Sequence, residues 1–202
     1  MSKIEKNNLK NVLRAKNRQE FRNWLAKNCN SEDECWAIVK MGKPNDGDGN
    51  LYYIDAVYEA LCFGWIDSSK KKIGNSVYQR FSPRKKNSYW SELNKARFYA
   101  LTEQGLMTEN GKKNAPNYDF KIDEDIAKIL KSDKKLFDNF MSFSNLYKRI
   151  RICNIQRERK NKQVFEKSLN NFIKQTKEGK MYGNWDDYGL LREYENSFEF
   201  KM

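Results

Sequence analysis

The 202-residue chain carries 39 Lys and Arg against 27 Asp and Glu, giving a formal net charge of +12, and it has no histidine. That length suits one domain, or a domain with a packed helical extension. The missing histidine removes the usual imidazole base and the commonest metal ligand. No apolar run approaches the roughly 20 residues of a membrane span, and the polar, basic first twenty residues do not resemble a secretory signal.

In chain order, residues 1–18 form a charged, amphipathic lead. Residues 19–27 predict a short helix, with Phe21, Trp24 and Leu25 on one face. Residues 35–41, "CWAIVKM", are apolar and β-branched and predict a strand, followed by a turn-rich loop over 42–50. Residues 53–63 predict a helix closed by Gly64 in a left-handed cap. Two further strands follow, "GWIDSSKKKI" and "SVYQRFSP", the latter ending at Pro83. A strong helix is expected from Ser88 to Gln104, then a loop over 110–117. The rest is helical: 123–131, 134–141, 144–159 and 162–177. In the last, Phe165, Leu169, Phe172 and Ile173 make a clear apolar stripe. Together these elements predict an α+β fold, a small antiparallel sheet of about three strands packed among six to eight helices, with a helical C-terminal half. The main domain is expected over 19–180, and the aromatic, acidic residues 181–202 form a C-terminal extension.

Four cysteines, Cys29, Cys35, Cys62 and Cys153, show neither C-x-x-C pairing nor zinc-ligand spacing. They read as free thiols of a reduced, cytoplasmic protein, with no metal and no cofactor expected. Cys62 sits at the C-terminal end of its helix, an electrostatically poor place for a nucleophile, and reads as a small buried hydrophobe.

One stretch concentrates residues able to hold a ligand. Trp65 and Asp67 are two apart, so they share a strand face. Arg80, Ser82 and Arg84 would also share one if the strand ran past Pro83. Two arginines there make an anion fork, or a structural pair with one bridging Asp67. Ser88 or Ser91 opens the next helix, where free backbone N–H groups favour an anion, and Ser91 with Asn94 offers a further cap. Trp90 and Asn94, and Asn94 and Arg97, share helical faces. Trp65, Asp67, Arg80, Arg84, Ser88, Trp90, Asn94 and Arg97 are therefore the expected lining of a cleft for a small anionic or planar ligand. The same cleft serves an enzyme reading, acting through Asp67 or Cys62. A third reading places nucleic acid on the basic run 147–162, with Arg149, Arg157 and Lys160 facing outward. Against it, the lysines are spread along the chain, which suits a solvated surface.

Longer motifs run through the same stretch: "FRNWL" at Phe21–Leu25, "EALCFGWIDS" at Glu59–Ser68, "RFSPRKKNSYWSELNKARFYALTEQGLM" at Arg80–Met107 and "SFSNLY" at Ser142–Tyr147. The chain resembles the YdeI/OmpD-associated family, also called OmdA-like or bacteriocin-protection proteins. Its members show "FRxWL", "EALCFGWIDG", "RFTPRxxxSxWSxxNxxRAxxLxxxGxM" and "SPSxxY". Ser68 stands where Gly is usual, and Asn87 where a turn Gly is common. The resemblance, from about Phe21 to Tyr182, implies a link to protection against bacteriocins, cationic peptides or envelope stress. With no histidine to serve catalysis, a non-catalytic binding protein is the expectation.

Overall fold

The computed structural model describes residues 9–45 and 47–202. Residues 1–8 of the expected lead, and position 46 in the expected loop, lie outside them. The chain divides into two compact units. One runs up to Ser88 and adds Arg97–Ala115; the other takes Tyr89–Ala96 and Pro116–Met202. No described helix is long and apolar enough to cross a membrane.

The first unit is built on a sheet of four strands: β1 (Val12–Leu13), β2 (Cys35–Val39), β3 (Trp65–Ile73) and β4 (Ser76–Pro83), in the order β1-β2-β4-β3. The three predicted strands are there. The fourth, β1, corrects the count to four and makes the sheet mixed, because it pairs parallel to β2 through Val12↔Trp36 and Leu13↔Ala37. Two residues carry no period, so nothing in the basic lead announced a strand. The β3–β4 hairpin closes on Gly74 and Asn75, with Gly74 at φ +59. A two-residue turn that follows the sheet twist needs such a positive φ.

Pairing fixes which side chains share a face. Asp67 lies opposite Phe81, and Cys35 also pairs with Phe81; these belong to the face that includes Ala37 and Val39. Two helices pack there, α1 (Arg18–Asn28) and α2 (Tyr53–Cys62). The Asn17 side chain accepts from Glu20 N at 2.9 Å and caps α1. Phe21 of α1 stacks on Phe81 with centroids 5.3 Å apart. Eight of the ten residues of α2 are buried, from Ile54 to Cys62, so α2 is the central helix of this unit. One of the eight is Glu59, held by Arg18 and by Arg22 Nη1 at 2.6 Å. The opposite sheet face carries Trp36 and Tyr78 over Leu9, with Lys71 Nζ 5.2 Å from the Trp36 ring.

Helix α3 (Glu92–Glu103) begins after Ser91, the later of the two expected starts: Ser91 Oγ accepts from Asn94 N at 3.2 Å. A short α4 (Glu109–Lys112) stands where a loop was expected, capped by Thr108. The second unit gathers α5 (Glu124–Lys131), α6 (Lys134–Ser142), α7 (Asn145–Arg157) and α8 (Lys162–Lys177). Helix α7 is its centre, buried on nearly every side. The C-terminal extension docks on this core. Trp185 meets Tyr147 edge-on at 5.7 Å, Leu191 is fully buried, and Glu195 O accepts from Leu146 N at 2.9 Å.

Candidate functional site

Trp65 is 1% exposed; its Nε1 donates to Cys29 O at 3.3 Å, and Trp24 packs edge-on against its ring at 5.9 Å. The ring is enclosed, which leaves no face for a ligand to stack on. Arg80 does not bridge to Asp67. Cross-strand pairing puts Arg80 with Trp36 on one face and Asp67 with Phe81 on the other. Arg80 instead grips Glu34 Oε2 with Nε at 2.8 Å and Nη2 at 2.5 Å. Asp67 accepts from Tyr53 Oη at 2.8 Å.

Strand β4 ends at Pro83, so Arg84 leaves the strand face expected for it. Its N–H donates to Gly64 O at 2.8 Å, and the residue is buried. Burial pulls the Arg84 guanidinium down to about 10, opposed by the charge of Asp67. Asp67 thus acts electrostatically on Arg84. Arg97 is buried too, 6.0 Å from the Tyr58 ring. Ser88 Oγ is buried with no hydrogen-bond partner among the described residues. Of the expected set, the first unit holds these six, and Trp90 and Asn94 belong to the second.

The thiol of Cys62 is fully buried and pushed up to about 11, first by burial and then by Glu59. We expect a polar alkylating reagent to leave Cys62 unmodified in the native protein and to label the partly exposed Cys29 first. Mass spectrometry of the native digest checks this; early modification of Cys62 would overturn it.

The basic run is corrected at Arg149. Expected to face outward, it is 2% exposed. Its Nε donates to Glu92 Oε2 at 2.6 Å, Nη1 to Glu199 O at 2.9 Å, and Nη2 to Tyr118 O. Arg157 and Lys160 are exposed as expected. Arg159 is taken by Asp123 and Asp125, at 2.6 Å each.

Within the second unit a pocket of about 320 Å³ opens beside this buried network. Three aromatic rings, Tyr89, Trp90 and Phe120, line it with three cations, Lys95, Lys121 and Arg157. Glu92 and Asp119 also reach it. Both Glu92 oxygens are engaged, one by Arg149 and the other by Lys95 Nζ at 2.7 Å. That leaves little of its negative charge to face the pocket. Arg157 sits 5.1 Å from the Tyr89 ring centroid. Neither Arg157 nor Lys121 has a carboxylate partner among the described residues. Tyr89 Oη lies 2.9 Å from Cys153 Sγ, and burial, followed by that hydrogen bond, raises the phenol above its ordinary range. Tyr89 therefore stays protonated near neutral pH. The pocket offers positive charge, flat apolar walls and a neutral hydroxyl, a combination suited to a planar anion. No group of three or more metal-ligating side chains occurs among the described residues.

Residues 13–114, just over half of the chain, match the model of a family described as a domain of unknown function (DUF8412). The chain belongs to that family. Residues 119–179 match a second model, described as Bacteriocin-protection, YdeI or OmpD-Associated. The YdeI/OmpD-associated resemblance is thus found over part of the chain, where "SFSNLY" lies. The other quoted motifs fall inside the DUF8412 segment. No curated protein and no solved structure matches the chain. The aromatic pocket draws Tyr89, Trp90, Glu92 and Lys95 from the DUF8412 segment. Phe120, Lys121, Cys153, Gln156 and Arg157 come from the YdeI/OmpD-associated one.

Sequence reasoning named Trp90 and Arg157 but put them in separate sites. It missed Tyr89, Phe120, Lys121 and Lys95. One signal was available. Helix α7 is apolar on several faces at once, at Leu146, Tyr147, Ile150, Ile152, Cys153 and Ile155. A helix with that pattern is buried all round, so its middle arginine needs an acid from elsewhere in the chain.

Proposed function

We propose that the protein is a cytoplasmic, non-catalytic binding protein that takes a small planar anion between Trp90, Tyr89 and Phe120, with Arg157 and Lys121 as its counter-charges. The link to bacteriocin or envelope-stress protection is an inference from the YdeI/OmpD-associated segment. The observation that carries the ligand class is the convergence of three rings and three cations on one 320 Å³ pocket that two carboxylates also line, Glu92, paired with Arg149 and Lys95, and Asp119, leaving Arg157 and Lys121 as the cations without an acid partner among the described residues. The pocket volume is at the lower end of the range for small-molecule sites. The cytoplasmic assignment rests on four free thiols, three of them buried. The non-catalytic reading rests on the absence of histidine and on Glu92 being held by two cations. Nucleic acid is the weaker reading, because Arg149 is spent inside the fold.

Naphthalene-2-sulfonate is the test probe, followed by quenching of tryptophan fluorescence and by calorimetry. It is expected to bind the wild type, while neutral 2-naphthol binds more weakly. Arg157→Gln should weaken the sulfonate by roughly 10- to 100-fold, the worth of one charge-assisted contact of about 1.5–3 kcal/mol. Trp90→Leu should weaken both probes. Equal affinity of wild type and Arg157→Gln for the sulfonate would remove the pocket as an anion site.

A further inference from the structure

The first unit holds a larger concavity, about 590 Å³, at the end of the sheet away from Pro83. Three separate parts of the chain bring cations to it: Arg14 and Lys16 just after β1, Lys40 just after β2, and Lys72 near the end of β3. No acidic residue is among the described residues that line it. Lys40 is committed, with its Nζ 2.7 Å from Asp48 Oδ2. Arg14, Lys16 and Lys72 are exposed, and their side-chain cations have no carboxylate partner among the described residues, although the Lys16 backbone N–H donates to Glu20 Oε2 at 2.9 Å.

The rest of the lining narrows the ligand. No aromatic ring lines the groove among the described residues, so a flat base has nothing to stack on. Of the apolar lining, Val39 and Leu51 are almost wholly buried, and what remains open is Ala15, Ile38, Met41 and Val77, interspersed with the cations. Asn50, Asn75 and Ser76 offer amide and hydroxyl groups suited to hydroxyls. Three side-chain cations that outnumber the acids beside them favour a multiply charged anion.

We propose that this groove binds a phosphate ester with a hydroxylated, non-aromatic body, of the sugar-phosphate class, the phosphoryl group meeting Arg14, Lys16 and Lys72. The site is separate from the aromatic pocket and takes a different ligand.

The test is calorimetry on the full chain at about physiological ionic strength, where exposed charges more than roughly 8 Å apart are largely screened. Glucose 6-phosphate, inorganic phosphate and glucose are the three probes. Glucose 6-phosphate is expected to bind more tightly than inorganic phosphate, and glucose not at all. The double variant Arg14→Gln/Lys72→Gln alters exposed side chains only and should weaken glucose 6-phosphate at least tenfold. Lys40 is left intact because it holds Asp48. Arg157→Gln should leave this binding unchanged. The proposal falls if glucose 6-phosphate gives no heat, if the double variant binds as wild type, or if Arg157→Gln abolishes binding. Equal affinity for inorganic phosphate would also overturn it, since the hydroxylated body would then contribute nothing.

Discussion

Arg149→Ala is expected to destabilise the helical unit by about 3–5 kcal/mol, the usual consequence of removing one partner from a buried ion pair. Arg149 and Glu92 are 3% and 5% exposed in their side chains. Without Arg149, Glu92 keeps only Lys95 as a partner among the described residues, and its other oxygen stays buried and loses its donor. Two backbone carbonyls, at Tyr118 and Glu199, lose their donor as well. The Phe120 and Phe198 rings, 5.1 and 5.5 Å from the guanidinium, lose their cation. Arg149→Lys keeps the charge but cannot reach an acid and two carbonyls with one ammonium. It should lie between wild type and the alanine variant. Urea unfolding followed by fluorescence, to which Trp90 and Trp185 of this unit contribute, gives the comparison. An alanine variant within about 1 kcal/mol of wild type would show that the network does not hold the unit together. Because Glu92 borders the aromatic pocket, Arg149→Ala is also expected to weaken naphthalene-2-sulfonate, by restoring negative charge to its wall.

What the sequence disclosed follows from how far each interaction reaches along the chain. Helix α8 was legible because Phe165, Leu169, Phe172 and Ile173 repeat at the helical period. Helices α1 and α2 and strands β2, β3 and β4 were legible for similar local reasons. Strand β1 was not, because a two-residue parallel pairing exists only once β2 supplies the partner. Among the expected site residues the same division holds. Trp65 and Asp67 do share a face, as alternation requires. Arg80 failed as a partner for Asp67 because register decides the face, and cross-strand register is not written locally. Its true partner, Glu34, is 46 positions away. The Arg149–Glu92 pair spans 57 positions. The basic run looked like a solvated row because lysine and arginine are usually outside. Tertiary packing of the apolar residues around Arg149 overrode that preference and drew the charge inward with its acid.

The other large effect is expected where two backbones meet. Gly111→Ala should cost the first unit about 2–3 kcal/mol, although alanine is the better helix former and Gly111 lies in a helix, α4. Its φ is not in the left-handed region, so backbone strain is not the cause. The cause is space. A Cβ at Gly111 would press on Cys62 O, lie 2.8 Å from Cys62 C and sit 2.7 Å from Met107 Cε. The Cys62 carbonyl cannot retreat freely, because it accepts from Thr108 N at 3.0 Å and from Thr108 Oγ1 at 2.6 Å. Thr108 is in turn the cap of α4, accepting from Gly111 N at 3.3 Å. An added methyl therefore pushes against the cap that holds its own helix. Gly64, the next turn of the same crossing, has φ +74 and leaves a Cβ only 2.7 Å from Asn110 O. Gly105→Ala is the control. It sits at φ +67 with nothing within 4 Å of a Cβ, so it carries the left-handed penalty of about 1–2 kcal/mol and no clash. Thermal and urea unfolding of the two variants separate close approach from dihedral strain. A Gly111→Ala protein as stable as wild type would mean that the end of α2 and the start of α4 can part without loss. The anchoring of Gly64, and through it of Arg84 N, would then have to come from elsewhere.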